Sequence, residues 1–122
     1  MKRPICAALI LLVACSSGDE CIALPCAPSA PAVTITVTTT TGVNPSPGLT
    51  ASVTSGPQRS VFCDSGAVCQ VFGGPGDYTI RVSAPGFVSQ DVKATVTGQD
   101  AGCNRCERVD TQRVSVVLTP AA

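Results

Sequence analysis

The chain has 122 residues, no net charge, 13% charged residues, eight cysteines, and neither histidine nor tryptophan. The missing imidazole excludes Ser-His-Asp and Cys-His nucleophiles, His-ligated zinc and a histidine pH switch. Zero net charge with only 3% aromatic residues argues against nucleic-acid binding, which needs a basic face and stacking rings, and the length suits one small domain.

Met1-Lys2-Arg3 is a short positive start, and Ile5 to Val13 is an apolar run broken only by small residues. A bilayer-spanning helix needs about 20 apolar residues, so this run is too short to span and fits an export signal instead. A plain export signal ends on Ala-x-Ala; this one ends Leu12-Val13-Ala14-Cys15. Those four residues resemble the lipobox of bacterial lipoprotein signal peptides. The resemblance implies cleavage between Ala14 and Cys15, diacylation of the Cys15 sulfur, and an amine open to further acylation. Two or more acyl chains hold a protein on a membrane where one does not. In that family an Asp after the lipid-bearing cysteine retains the protein at the inner membrane, so Ser16 implies the outer membrane. The other reading, a buried core helix over 5–14 with Cys15 an ordinary thiol, leaves the basic start and small-residue stop without a role. Removing residues 1–14 leaves 108 residues with six basic and eight acidic side chains, a net charge of −2.

Residues 15–31 read as the lipidated cysteine and a tether. Pro25, Pro28 and Pro31 recur every third residue, which suits an extended polyproline-like spacer and forbids a helix. A bridge from Cys21 or Cys26 would pin it.

Residues 32–120 show a period of two. Val33, Ile35 and Val37 alternate with threonines; Leu49, Ala51 and Val53 alternate with Thr and Ser. Ser60–Cys63 and Val68–Phe72 flank Asp64-Ser65-Gly66. Tyr78, Ile80, Val82 and Ala84 alternate with polar residues, and Val88 to Val96 and Val114 to Leu118 follow. Gly/Pro clusters separate these runs, and 98–110 reads as a polar connection. No segment shows an amphipathic helical pattern. About seven short strands at regular spacing predict an all-β sandwich, because one sheet cannot bury its apolar face alone.

The run Gly76-Asp77-Tyr78-Thr79-Ile80-Arg81-Val82-Ser83-Ala84-Pro85-Gly86-Phe87 resembles a segment of carboxypeptidase-regulatory-like domains, which are transthyretin-like sandwiches common in bacterial envelope proteins. The resemblance implies a small seven-stranded antiparallel or mixed sandwich, transthyretin-like or Ig-like. Tyr78, Ile80, Val82 and Ala84 would face the core, Gly86 would make a turn, and Phe87 would cap the open end. Residues 42–53 match the family only loosely. The family accompanies a peptidase and is not itself one.

Cys21, Cys26, Cys63, Cys69, Cys103 and Cys106 remain beyond Cys15 and the signal. In an exported chain of this size six cysteines suggest three disulfides. Cys63 and Cys69 flank a Gly-containing turn, so a bridge across a hairpin is natural; its small loop is worth ~2.4 kcal/mol in the chain-entropy account. In transthyretin-like folds the first strand runs parallel beside a late one, which implies that Cys26 lies near Cys103 or Cys106. A Cys26–Cys106 bridge would be worth ~4.5 kcal/mol on the same account. Two local bridges, Cys21–Cys26 and Cys103–Cys106, are the alternative.

Two functions compete. The first is a lipid-anchored, non-catalytic envelope module for adhesion, surface architecture, or binding of a protein or glycan, with no metal or cofactor. The eight acidic residues are scattered, and no glycosidase-like carboxylate pair stands out. Its candidate binding patch is Phe62 and Phe72, which flank the Cys63–Cys69 hairpin. The second is a metal- or redox-active lipoprotein using Cys103 and Cys106. A zinc ribbon needs two Cys-x-x-Cys knuckles and a redox pair normally opens a helix, and neither context is present.

Overall fold

A computed structural model describes residues 25–122. The signal segment, the cleavage pair Ala14 and Cys15, and Cys21 lie outside the described residues. Nine strands follow in chain order: β1 (Val33–Thr39), β2 (Thr50–Ser55), β3 (Gln58–Cys63), β4 (Val68–Gly73), β5 (Gly76–Ser83), β6 (Gln90–Val96), β7 (Gly98–Gln99), β8 (Arg108–Val109) and β9 (Gln112–Leu118). No helix occurs among the described residues.

Two sheets form a sandwich. One has the order β3-β4-β1-β9 and the other β2-β5-β6, while β7 and β8 make a separate ribbon. All pairs are antiparallel except β1 with β9, which run parallel from Val33 beside Gln112 to Thr39 beside Leu118. The period of two does what it predicts. Val33, Ile35 and Val37 are buried on one face of β1, and Tyr78, Ile80 and Val82 are buried on the facing strand β5. Branched and aromatic side chains pack well on a pleated surface, which is why so Val- and Thr-rich a chain makes strands. Val71 from β4, Val92 and Val96 from β6, and Val116 and Leu118 from β9 complete the core.

The expected polar connection at 98–110 needs correction. It contains the β7–β8 ribbon, and Val109 within it is buried. A two-residue strand is too short to show alternation, so the sequence offered no periodic sign of it. Gly98, at φ +154°, lies against the Arg108 carbonyl with no room for a Cβ. Phe87 packs against the core, and the C-terminal segment closes beside it: Val88 donates to the Thr119 carbonyl at 2.8 Å and Ala121 to that of Gly86 at 2.9 Å.

Tyr78 organises the opposite end. It is 1% exposed, and its hydroxyl donates to the Gly74 carbonyl at 2.6 Å. Its ring passes beside Gly56, and a Cβ on Gly73 would strike both its hydroxyl and the Pro57 carbonyl. Backbone and ring cannot both give way there, so Gly73→Ala should lower stability by roughly 3 kcal/mol, at the upper end of overpacking costs, read from the urea midpoint. Burial raises the Tyr78 phenol above its ordinary value of 10.0. Tyr78 is the chain's one tyrosine, so phenolate absorbance reports it alone. A raised folded value means that its stabilisation is intact below the ordinary tyrosine range and is lost as pH rises through the shifted value. Phenolate absorbance should therefore appear late on the alkaline side, together with loss of β-sheet ellipticity. Ionisation at the ordinary value with the fold intact would contradict this.

Candidate functional site

The two faces of β3 and β4 carry different chemistry. The Asp64 N–H donates to the Val68 carbonyl at 2.9 Å, which makes Cys63 opposite Cys69 a non-hydrogen-bonded pair, where cross-strand side chains come closest. The two cysteines are disulfide-bonded, with Cα atoms 3.9 Å apart. Cys69 is fully buried, so the bridge lies on the core side with Val61 and Val71. One residue along, Phe62 must then face outward, as must Phe72 two places from Gln70. Their rings stack with centroids 6.0 Å apart and planes within 12°. Phe62 is 52% exposed, and Phe72 is half-buried.

β3 is also the edge of its sheet. Where β2 and β3 diverge, a cleft of about 150 Å³ opens between Leu49–Ala51 and Val61–Cys63. The candidate residues Phe62, Phe72, Cys63 and Cys69 thus converge on one hairpin, with the rings outside and the disulfide inside. Sequence reading placed the rings beside the hairpin but missed that β3 is an edge and that the rings touch. The alternation Val61-Phe62-Cys63 held the orientation, because a core-facing Val61 and Cys63 force Phe62 out.

The turn of this hairpin is Asp64-Ser65-Gly66-Ala67. Asp64 Oδ1 accepts from the N–H groups of Gly66 at 2.8 Å and Val68 at 3.1 Å. The left-handed residue is Ala67, with φ 61°, and not the neighbouring glycine. The loop before β2 is stitched to this turn: the Asn44 amide donates to the Ser65 carbonyl at 3.1 Å, and Ser46 Oγ to the Asp64 carbonyl at 3.1 Å. A cavity of about 390 Å³ lies between them, with Leu49, Cys63 and Asp64 in its wall. Asp64 and Ser46, the polar side chains there that make hydrogen bonds, serve the loops themselves.

Cys26 and Cys106 are disulfide-bonded, with Cα atoms 5.7 Å apart. Residues 25–31 therefore run as a strap along 106–112. The Thr111 hydroxyl donates to the Pro31 carbonyl at 2.6 Å, and the Gln112 N–H to the Ala32 carbonyl at 2.9 Å. Cys103 is disulfide-bonded as well. Since Cys106 is joined to Cys26, the local pair Cys103–Cys106 does not form. Neither sulfur is left as a thiolate, which a metal ligand or a reduced redox centre would require.

Most of the described acidic side chains are engaged locally. Arg59 pairs with Glu107, Arg108 with Asp110 at 2.7 Å, and Thr95 donates to Asp77 at 2.8 Å. Arg81 bonds Asp91 with both its Nε and a terminal nitrogen, at 2.9 and 3.2 Å. That hydrogen bonding holds the Asp91 carboxyl below its ordinary value. Both side chains are about half-exposed, so the pair adds little to stability. Among the described residues no group of three or more His, Cys, Asp or Glu side chains could hold a metal ion. No protein-family model matches the chain, and no curated protein matches it.

The two bridges close loops of very different length, with 80 and 6 residues of separation. Replacing Cys63 and Cys69 together by Ala should cost ~2.4 kcal/mol, read from the urea midpoint. Replacing Cys26 and Cys106 together should cost well under the ~4.5 kcal/mol of an isolated long-range bridge, because the Cys103 bridge remains; a loss of the full amount would contradict this.

Proposed function

We propose that the chain is an exported lipoprotein of the bacterial cell envelope. Cys15 carries the lipid, residues 15–31 form the tether, and residues 32–120 form a transthyretin-like, carboxypeptidase-regulatory-like domain. The domain is a non-catalytic structural or binding module at the outer membrane, and the stacked Phe62 and Phe72 contact an envelope protein or glycan. One observation carries this reading. All five cysteines among the described residues are disulfide-bonded, a state that persists in oxidising compartments and is rare in the cytosol. It agrees with the export signal and with a lipobox-like Leu12-Val13-Ala14-Cys15. The parallel β1–β9 pair in a mixed sheet supports the family likeness seen in Gly76–Phe87.

The Cys26 bridge refines what the tether does. Ten residues lie between Cys15 and Cys26, and each of the eleven steps spans at most ~3.6 Å in an extended chain. The lipid would thus hold the domain within about 40 Å of the membrane, by the end where β1 and β9 begin. The turn of the Phe62 hairpin lies toward the other end, while Phe62 itself stands level with Thr34, near the start of β1.

Radiolabelled palmitate should enter the wild-type chain and not Cys15→Ala, and the variant should leave the membrane fraction. Equal labelling of the two would remove the anchor. A partner captured by the mature protein from its own envelope should be lost on Phe62→Ser with Phe72→Ser while β-sheet ellipticity and a cooperative thermal transition are retained. Unchanged capture would remove the patch.

A further inference from the structure

The Phe62 face lies on a free sheet edge, and the edge itself is the more specific feature. In the β3–β4 ladder, Ser60, Phe62 and Asp64 turn their main-chain groups toward β4, because Asp64 bonds Val68 and the pattern alternates. Val61 and Cys63 therefore turn their N–H and C=O groups away from β4, to the open side of the sheet. No hydrogen bond to another described residue takes up these groups. Folded proteins commonly blunt such an edge with charge, proline or a bulge. Here the bulge falls at Arg59, between the Gln58 and Ser60 pairings, and Ser60 to Cys63 run on beyond it with no charged side chain. The flanking charges are engaged within the chain: Arg59 pairs with Glu107, and Asp64 accepts from the Gly66 and Val68 N–H groups of its own turn.

From this we propose that β3 pairs antiparallel with β3 of a second copy, about a twofold axis through Phe62. This rests on the reading of the Phe62–Phe72 face as a contact surface and names its partner. The register follows from the parity. An axis at Phe62 sets Val61 opposite Cys63 of the other copy, and these are the residues whose main-chain groups point outward. It sets Phe62 opposite Phe62, in a non-hydrogen-bonded position where cross-strand rings meet. The two stacked pairs then join into one row of four rings. A second copy fits because the stretch Ser60–Cys63 carries no charge and is self-complementary, so that a twofold contact opposes no like charges. A foreign strand would need no such symmetry, and nothing on the edge provides a charge to select one.

An edge of four residues buries less than the 1,200 Å² or so of a standard stable interface. The pair is accordingly weak in dilute solution and strong where copies share a surface, since tethering raises effective concentration. Two differently tagged full-length copies, expressed together, test it. Tag-to-tag co-capture from membranes should be clear for wild type. It should fall at least tenfold when both copies carry Phe62→Glu or both carry Phe62→Lys, and return when one carries each. Phe62 is half-exposed and stacks on Phe72, so the variants should stay folded, with thermal midpoints lowered by no more than about 8 °C. Absent wild-type co-capture, like-charged copies that still pair, or a Glu/Lys mixture that does not recover would each overturn the proposal. So would Phe62→Glu abolishing capture of another envelope protein while copies never capture each other, which assigns the edge to a foreign strand. Sedimentation of detergent-solubilised protein at high concentration reads the same pairing without the membrane. Failure of the lipid anchor would therefore appear in the palmitate label alone, with pairing in detergent intact.

Discussion

The parallel ladder between β1 and β9 is the constraint on which the remaining structure depends. It sets the first and last strands side by side, with seven residues of each in register. Everything between them must leave this seam and return to it, so the other strands are distributed over two sheets. With β9 on one flank of β1 and β4 on the other, β3 has no place except the outer edge. The same seam fixes where the chain enters. Residues ahead of β1 lie beside residues ahead of β9, which is the condition for Cys26 to meet Cys106 across 80 positions. A bridge there closes a long loop, where chain-entropy stabilisation is large, and it supports the pairing that is hardest to form by local contacts.

Most of this architecture was legible in the sequence because it rests on a period of two. Val33-Thr34-Ile35-Thr36-Val37 and Tyr78-Thr79-Ile80-Arg81-Val82 state both element and face, and the structure buries the apolar members of each. The Gly and Pro clusters gave the breaks. Gly86 has φ +84° with open space around it, so its turn demands the backbone freedom alone. Less legible were features set by contact between distant segments. The β7–β8 ribbon forms because Gly98 can lie flat on the Arg108 carbonyl, a proximity that neither segment announces. The hairpin turn held a glycine at 66, yet the left-handed position went to Ala67, because Asp64 captures the Gly66 and Val68 N–H groups and fixes the turn one residue along.

The candidate face shows the same division. That Phe62 and Phe72 sit near the Cys63–Cys69 hairpin follows from spacing. That they point away from the core follows from alternation once Cys69 is known to be inside. That their strand is an edge does not follow from either, since edge and interior strands of a sandwich share one pattern and differ only in what lies alongside. The seam at β1–β9 decides it, and the seam depends on residues some 80 positions apart.

The distribution of aromatic residues gives the exposed pair its weight. The chain has three phenylalanines and one tyrosine. Tyr78 is buried at one end of the sandwich, and Phe87 packs at the other. Both positions gain from a large side chain, because a domain this small buries a limited share of its surface. Placing the remaining two rings on the outer face forgoes core burial worth about 2 kcal/mol for each fully buried ring. Stacking the pair recovers only part of that, since an aromatic contact adds ~1 kcal/mol beyond area. Fold stability therefore does not account for Phe62, half-exposed on the uncharged Ser60–Cys63 stretch of an edge strand. The disulfide beneath it keeps β3 in register with β4, and the open main-chain groups of Val61 and Cys63 lie beside it. Together these describe a rigid, apolar strand edge, and on that ground we propose the Phe62 hairpin, more than the cavity beside it, as the surface for contact with another molecule.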